Sequence, residues 1–258
     1  MIRLTIDDKE IEVQKGLTVL DAARESGIEI PTLCYLKPLG PYGVCRLCVV
    51  EVEGPRLPRT VVPSCTLPVS EGLAVETATP LIVTIRRTLL ELLLASTDVT
   101  EPLVSLAKSY GVESSRFQVA GGDPCVLCGL CVRVCRDSIG VSALSFEGKK
   151  GNRQVVAGSI ALDPEACVGC GTCANICPVE AIQLEDRGLE RRIVLYGNVA
   201  NTIALEECTM CGRPHATRKF IDTVLARMDE TQRSGFRNVC PDCSRSYYAV
   251  ALTGRFLY

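Results

Sequence analysis

The residues of this chain best suited to chemistry are its cysteines, which number 16 among 258 residues. They fall into four groups of four, separated by stretches without cysteine, and none is left over. The groups are Cys34, Cys45, Cys48 and Cys65; Cys125, Cys128, Cys131 and Cys135; Cys167, Cys170, Cys173 and Cys177; and Cys208, Cys211, Cys240 and Cys243. Closely spaced thiolates bind metal in a reducing compartment, whereas in an exported protein they form disulfides.

The N-terminal sequence favours the reducing compartment. Residues 1–8 alternate apolar and polar side chains and lack the basic start, apolar middle and cleavage site of a secretory signal. The longest apolar stretch, residues 81–95, is interrupted by Arg86, Arg87 and Glu91. A membrane span needs ~20 apolar residues, so we predict no span and a cytoplasmic protein whose cysteines bind metal.

The second and third groups have the spacing of a bacterial ferredoxin with two [4Fe–4S] clusters. Each follows the run Cys-x2-Cys-x2-Cys-x3-Cys, and Pro178 comes directly after the later one. In such a run the fourth cysteine ligates the other cluster. We therefore predict one [4Fe–4S] cluster on Cys125, Cys128, Cys131 and Cys177, and a second on Cys135, Cys167, Cys170 and Cys173.

The first group predicts a [2Fe–2S] cluster on Cys34, Cys45, Cys48 and Cys65. Its loop contains Gly40, Pro41 and Gly43, which are compact enough for backbone amides to approach sulfur. Ten residues separate its first two cysteines, against four in the plant-type pattern. A structural zinc ion is the alternative, but zinc usually takes two tight cysteine pairs, and this group has one.

The fourth group consists of two tight pairs, Cys208 with Cys211 and Cys240 with Cys243. Paired thiolates at this spacing favour a structural zinc ion, which would fold a small module that lacks a large core. A third [4Fe–4S] cluster uses the same donors and stays open as the alternative. His215 lies between the pairs, but four cysteines already supply the ligands that zinc needs.

Segments around the first group resemble a known family. Cys34-Tyr35-Leu36, residues 43–52 and Pro63-Ser64-Cys65 are similar to the N-terminal [2Fe–2S] domain of the G-type chain of complex I, the diaphorase small subunit of bidirectional hydrogenases and iron-only hydrogenases. In that family the longer first spacer is usual. The resemblance implies a β-grasp, ferredoxin-like fold for residues 1–78.

The resemblance continues into the second group and weakens beyond the third. Residues 131–135, Gly140 and residues 143–146 resemble the complex I and diaphorase chains, and the fourth group loosely resembles C-terminal extensions of hydrogenase and formate dehydrogenase subunits. Those chains commonly carry a further [4Fe–4S] site of one histidine and three cysteines between the two regions. Residues 96–120 contain neither residue type, so we expect that cluster to be absent.

Four regions of an α+β chain must position these cysteines. We predict a [2Fe–2S] domain at 1–78, a helical connector at 79–118, a two-cluster ferredoxin domain at 119–186 and a four-cysteine, zinc-ribbon-like module at 187–258. Alternation and helix-capping patterns predict the following elements: strands Arg3–Ile6, Ile11–Val13, Val49–Val52, Leu73–Glu76, Ala143–Phe146, Val155–Ala157 and Ile193–Tyr196; a helix from Thr18 to Gly27; two connector helices in 79–118; and a helix at Arg218–Met228. Arg191-Arg192 is predicted as a solvated turn.

These features predict an electron-transfer subunit of a cytoplasmic multi-subunit oxidoreductase. The family resemblance implies a flavoprotein partner that exchanges electrons with NAD(P)H, and a catalytic partner of the [NiFe] hydrogenase or formate dehydrogenase type; electron bifurcation would be compatible with several clusters. The net charge of −2 indicates no nucleic-acid partner. No substrate-binding or acid–base residue is recognisable, so the isolated chain should only pass electrons to dyes.

A different class of protein is the main alternative. A free-standing multi-cluster ferredoxin would use the same sixteen cysteines and would shuttle electrons by diffusion. Such carriers usually have a strongly acidic docking face, which a net charge of −2 does not favour. A redox-sensing regulator is a more remote alternative, because the sequence shows no DNA-binding motif.

Overall fold

The fold is taken from a computed structural model that describes residues 1–118, 122–148 and 159–253. The strands are β1 (Ile2–Ile6), β2 (Lys9–Val13), β3 (Val49–Gly54), β4 (Leu57–Pro63), β5 (Leu73–Glu76), β6 (Leu144–Glu147), β7 (Ser159–Leu162), β8 (Ile182–Arg187), β9 (Glu190–Leu195), β10 (Asn198–Glu207) and β11 (Pro214–Thr217). The helices are α1 (Val19–Glu25), α2 (Pro80–Ser96), α3 (Glu101–Ser109), α4 (Leu130–Arg133), α5 (Thr172–Asn175), α6 (Arg218–Arg227), α7 (Glu230–Ser234) and α8 (Pro241–Thr253). Within these ranges, no helix combines the length and apolarity that a bilayer crossing requires.

The N-terminal sheet has five strands in the order β2-β1-β5-β3-β4, with β1 and β5 parallel and the other pairs antiparallel. The predicted hairpin, helix and two later strands are confirmed, whereas β4 was missed. Thr18 caps α1, its hydroxyl oxygen accepting a hydrogen bond of 3.2 Å from the Asp21 amide. The inner face of α1 packs on the sheet and closes the core of this unit. The loops that carry Cys34, Cys45, Cys48 and Cys65 are therefore anchored on this packed sheet and helix.

The connector consists of α2 and α3, as predicted. The guanidinium of Arg86, on the buried face of α2, donates to the carbonyl oxygens of Leu47 (3.0 Å) and Val49 (2.8 Å). These carbonyls flank Cys48, so the connector helix is fixed against the first cysteine group. Leu90 of the same helix shares a core with Leu47 and Val179, and this core joins the connector to the ferredoxin region as well.

In the ferredoxin region two short helices, α4 and α5, each start two residues after a cysteine. Gly129 and Gly171 precede them, both with φ of 74°. A Cβ atom at these positions would lie 2.9 Å from the Tyr42 ring and 2.8 Å from Leu184, so only glycine fits. α4 continues as a π-helical turn over Val134–Ile139.

Strands β6 and β7 pair antiparallel beside these helices. The strand predicted at Ala143–Phe146 is confirmed as β6. The strand predicted at Val155–Ala157 lies outside the described residues, and β7 was not predicted. The predicted α+β class is confirmed.

The C-terminal region contains a four-stranded antiparallel sheet in the order β11-β10-β9-β8. It starts at Ile182, before the boundary predicted at 187. The predicted strand Ile193–Tyr196 is confirmed up to Leu195, and α6 confirms the predicted helix up to Arg227, with Met228 as its C-cap.

The prediction of a solvated turn at Arg191-Arg192 was wrong. Both residues lie within β9, and Arg191 is only 9% exposed. Its guanidinium pairs with the Asp186 carboxylate at 2.7 and 2.8 Å and donates to the Gly169 carbonyl at 3.1 Å. Strand pairing buries Arg191 and places it against the exposed carboxylate of Asp186, although Arg191-Arg192 looks like a surface pair in the sequence.

Candidate metal centres

The first group of cysteines is gathered between the N-terminal sheet and the connector. Its sulfurs form two hydrogen-bonded pairs, Cys34 with Cys45 and Cys48 with Cys65. Within each pair that hydrogen bond lowers the pKa of one thiol, to about 5 for Cys34 and about 6 for Cys48. A [2Fe–2S] cluster binds two thiolates on each of its irons, so two sulfur pairs fit such a cluster.

Backbone amides point at the same sulfurs. The Leu33 amide lies 3.4 Å from the Cys45 sulfur, and the Cys45 amide lies 3.5 Å from the Cys34 sulfur. Such donors stabilise thiolates, and they adjust the reduction potential of a bound cluster.

The eight ferredoxin-type cysteines line two separate small cavities. The first is lined by Cys125, Cys128, Cys131 and Cys177, and the second by Cys135, Cys167, Cys170 and Cys173. The structure thus brings together the crossed sets that the spacing predicts, with the fourth cysteine of each run facing the other run's cavity.

The electrostatics of these cavities suit a cationic centre. Burial is the largest cause that raises the pKa of the thiols, to about 12 for Cys128 and Cys173. Nearby sulfurs of the same set add to the rise, because each thiolate disfavours the next. Four thiolates in a dry cavity need a compensating positive charge, which iron supplies. The donor set therefore fits [4Fe–4S] clusters.

The three groups lie in series. Cys34, Cys128 and Leu130 belong to one buried cluster, which joins the first group to the second. Cys131, Cys135, Cys167 and Cys173 belong to another, which joins the second group to the third. Each cysteine group therefore adjoins the next one, from the N-terminal sheet to the third group.

The fourth group forms the tightest set of sulfurs. Its four sulfurs all lie within 4.8 Å of one another, and those of Cys211 and Cys240 are 3.8 Å apart. A zinc–sulfur bond of about 2.3 Å places tetrahedral thiolates about 3.8 Å apart. The ligands of a cubane bind four different irons, which spaces them more widely. The Cys240 amide donates to the Cys208 sulfur at 3.2 Å.

His215 lies near this set without joining it. Its Nε2 atom is 2.9 Å from the amide oxygen of Asn238 and hydrogen-bonds there. The four sulfurs are gathered without the imidazole.

Sequence reasoning missed a tyrosine beside the second group. Tyr196 lines the same cavity as Cys125, Cys128, Cys131 and Cys177. Tyr196 and Cys125 are far apart in sequence and belong to different predicted regions. The one local signal is Tyr196-Gly197, where a turn between strands would ordinarily have Asn or Asp before Gly.

Domain families match most of the chain. Residues 1–80 match the 2Fe-2S iron-sulfur cluster binding domain, and residues 124–181 match a 4Fe-4S dicluster domain. A further 4Fe-4S dicluster family matches residues 159–214, overlapping the previous match and reaching Cys208 and Cys211. The predicted [2Fe–2S] and [4Fe–4S] character is confirmed.

Similar proteins belong to redox complexes. The second G-type chain of the NADH-quinone oxidoreductase of Rhizobium meliloti is 36% identical over 210 residues, covering 70% of this chain and 24% of that protein. The alpha subunit of the NADPH-Fe(3+) oxidoreductase of Geobacter sulfurreducens is 33% identical over 202 residues, 69% of this chain and 23% of that subunit. The HndD subunit of the NADP-reducing hydrogenase of Solidesulfovibrio fructosivorans is 33% identical over 215 residues, covering 70% of this chain and 36% of that subunit.

This chain therefore spans about a quarter to a third of the length of these relatives. A solved structure is matched over nearly its whole length. It is a chain in the crystal structure of an NAD+-reducing [NiFe]-hydrogenase in the H2-reduced state, with a TM-score of 0.60 and 28% identity over 90% of this chain and 98% of that one.

Proposed function

Because this chain is homologous to iron–sulfur subunits of NADH-quinone oxidoreductases and NAD(P)-linked hydrogenases, we propose that it relays single electrons between a flavin-bearing subunit and a catalytic subunit. The flavoprotein partner would exchange electrons with NAD(P)H. The observation that carries this proposal is the series of adjoining cysteine groups, because one-electron transfer requires centres close to one another. The protein would contribute their placement, burial and hydrogen bonding.

We propose the following ligands: a [2Fe–2S] cluster on Cys34, Cys45, Cys48 and Cys65; a [4Fe–4S] cluster on Cys125, Cys128, Cys131 and Cys177; a second on Cys135, Cys167, Cys170 and Cys173; and zinc on Cys208, Cys211, Cys240 and Cys243. The paired sulfurs of the first group and the two cavities support the clusters. The 3.8 Å separation between the Cys211 and Cys240 sulfurs supports zinc over a further cubane. When bound, the clusters supply reversible one-electron chemistry.

The match to a [NiFe]-hydrogenase chain supports a hydrogenase as the catalytic partner, because that match covers 98% of the hydrogenase chain. A formate dehydrogenase is the other candidate. We further propose a cytoplasmic location, since cluster ligation requires reduced cysteines and none of the sixteen forms a disulfide in this structure.

The test is anaerobic purification from native cells followed by metal analysis. We expect co-elution with a flavoprotein, and about ten iron atoms and one zinc ion per chain. About fourteen iron atoms without zinc would replace the zinc assignment with a third cubane. A lone species of 27.9 kDa would favour the diffusing ferredoxin, and colourless reconstituted protein without a paramagnetic signal after reduction would overturn the whole proposal.

A further inference from the structure

Tyr196 occupies a turn to which its side chain is poorly suited. Leu195 pairs with Asn198, which leaves Tyr196 and Gly197 as the two-residue turn between β9 and β10. Both take positive φ, 55° and 77°. Asn or Asp before Gly is the favoured pair in such turns, and a bulky side chain at positive φ is an outlier. Backbone strain of this kind persists where the surrounding structure holds it, often at functional sites.

Three segments of the chain hold this tyrosine in place. Its backbone amide donates to the Ala181 carbonyl at 3.0 Å, close to the Cys177 ligand. Its hydroxyl oxygen accepts a hydrogen bond of 2.8 Å from the Ile160 amide at the start of β7. Its ring lines the cavity of Cys125, beside the sulfur of that residue. The side chain is thus fixed against the candidate cluster rather than exposed at the turn.

These contacts determine which acceptor receives the hydroxyl hydrogen of Tyr196. The Ile160 amide already donates to the phenol oxygen, so the phenol's own hydrogen is free for another acceptor. Apart from Tyr196, the side chains that line this cavity are apolar or belong to cysteines, so a cysteine sulfur is the acceptor within reach, and that of Cys125 lies beside the hydroxyl. A phenol keeps its proton at neutral pH, so Tyr196 is the donor of this hydrogen bond.

We propose that Tyr196 donates a hydrogen bond to the Cys125 ligand and raises the reduction potential of the [4Fe–4S] cluster in that cavity. This rests on the proposed function, in which the cavity holds a cluster. Reduction adds one electron and increases the negative charge on the ligand sulfurs, while the phenol proton stays on its oxygen. A neutral donor therefore stabilises the reduced cluster more than the oxidised one. Tyr196 is a positioning residue, acting through Cys125.

The two cavities differ in this respect. Among the described residues, the lining of the cavity of Cys135, Cys167, Cys170 and Cys173 includes no tyrosine. The second cavity is lined by the hydroxyl-bearing Thr172 of α5, but the phenol that the C-terminal sheet supplies belongs to the first cavity. The hydrogen bond from Tyr196 therefore makes the reduction potentials of the two [4Fe–4S] clusters differ. It favours an added electron on the cluster nearer the first cysteine group.

The test compares full-length chains prepared anaerobically with reconstituted clusters, using potentiometric titration followed by electron paramagnetic resonance. In Tyr196→Phe, one [4Fe–4S] signal should titrate at a lower potential than in the wild type, with unchanged iron content, and the other signal should not move. Tyr42→Phe is the matched control. Its ring packs against Gly129 of the same cysteine run, but its side chain is 41% exposed, and no shift is expected.

A second variant guards against loss of the cluster in Tyr196→Phe. Replacing Tyr196 with 3-fluorotyrosine keeps the ring and the hydroxyl but makes the phenol a stronger donor, so the same signal should move to higher potential. An unchanged potential in this variant, or in Tyr196→Phe with full iron, overturns the inference and leaves the proposed function intact. Wild-type protein that lacks [4Fe–4S] signals would instead refute the proposed function.

Discussion

Burial works against free thiols in the centre of this chain. Desolvation is the largest cause that raises the pKa of Cys128, Cys131 and Cys173, so without metal these sulfurs stay protonated at neutral pH. Metal binding must therefore release protons while it replaces repulsion between sulfurs with attraction to a cation.

In the C-terminal sheet, one carboxylate, that of Asp186, pairs with the buried guanidinium of Arg191. Asp186 faces the Arg191 guanidinium, whose side chain is 11% exposed. Asp186→Asn removes the charge and weakens two hydrogen bonds, so the apparent Tm followed by circular dichroism should fall by about 2–4 °C, corresponding to about 1 kcal/mol. Glu185→Gln is the control, since its pair with Arg187 lies on the surface and should contribute little.

The stability difference between wild type and Asp186→Asn should change with pH in one direction, decreasing as the pH falls. The hydrogen bond from Arg191 holds the pKa of Asp186 below its usual range. A lowered pKa contributes stability that is fully present above the unfolded-state value of about 3.9 and is lost as pH falls through the folded-state value. The gap between wild type and Asp186→Asn should stay constant from about pH 8 to pH 5 and shrink only below about pH 4. A gap that widens on acidification would contradict this account.

At the scale of elements, short-range patterns predicted what is local. The β1–β2 hairpin, the Thr18 cap of α1 and the α2 helix all follow from residues within a few positions of one another. The crossed cysteine sets are local in the same sense, because the spacing within each run predicts that its fourth cysteine faces the other run's cavity. These local rules account for most of the candidate site.

Long-range pairing explains what was missed. β10 contains Asn and Thr, only one of its residues is buried, and it lacks the strict alternation of apolar and polar residues that would indicate a strand. Arg191 became buried because β8 brought Asp186 beside it. Tyr196 reached Cys125 through the same sheet. Asp186 lies only five residues before Arg191, and the pair was missed because β8 was not predicted. The contacts of Arg191 with the Gly169 carbonyl and of Tyr196 with the cavity of Cys125 join distant segments, so only the fold could reveal them.

Thr217 joins the C-terminal sheet to the ferredoxin region at a helix start. It is fully buried, accepts a hydrogen bond from the Phe220 amide as the N-cap of α6, and donates to the Val168 carbonyl between two ligands of the third group. Thr217→Ala loses the cap and leaves a buried carbonyl unpaired, at about 2–3 kcal/mol together. We expect faster bleaching of the visible absorption of the clusters in air.

Two further variants separate these effects. Thr217→Ser keeps the hydroxyl and should restore near wild-type bleaching. Thr79→Ala removes the N-cap of α2, which lies in a different part of the molecule. The hydroxyl oxygen of Thr79 accepts a hydrogen bond of 3.3 Å from the Ile82 amide. Thr79→Ala should lower stability by about 1 kcal/mol without faster bleaching. Equal bleaching in Thr79→Ala and Thr217→Ala would show that general destabilisation, and not the Val168 contact, is responsible.

On the scale of the whole molecule, basic side chains join regions by donating to backbone carbonyls. Arg86 links the connector to the first group, Arg191 links the C-terminal sheet to the third, and Lys219 reaches the Glu165 carbonyl at 3.1 Å. A carbonyl is a neutral acceptor, so Arg86 and Lys219 keep their positive charge in these contacts, whereas Arg191 is also paired with the Asp186 carboxylate. The same contacts therefore hold the regions together and place positive charge around the sites, which favours reduced clusters.

Arg133 makes the corresponding link between the first two groups and provides the sharpest test of it. It is 8% exposed, donates to the carbonyls of Leu39 and Gly40, and stacks 4.8 Å from the Tyr42 ring centroid. Arg133→Gln should cost about 2 kcal/mol and, with iron retained, weaken magnetic coupling between the reduced [2Fe–2S] and [4Fe–4S] centres. Arg136→Gln is the control, because that exposed side chain bonds to the adjacent Asp137 at 2.7 Å. Full coupling in Arg133→Gln would mean that the connector alone fixes the spacing.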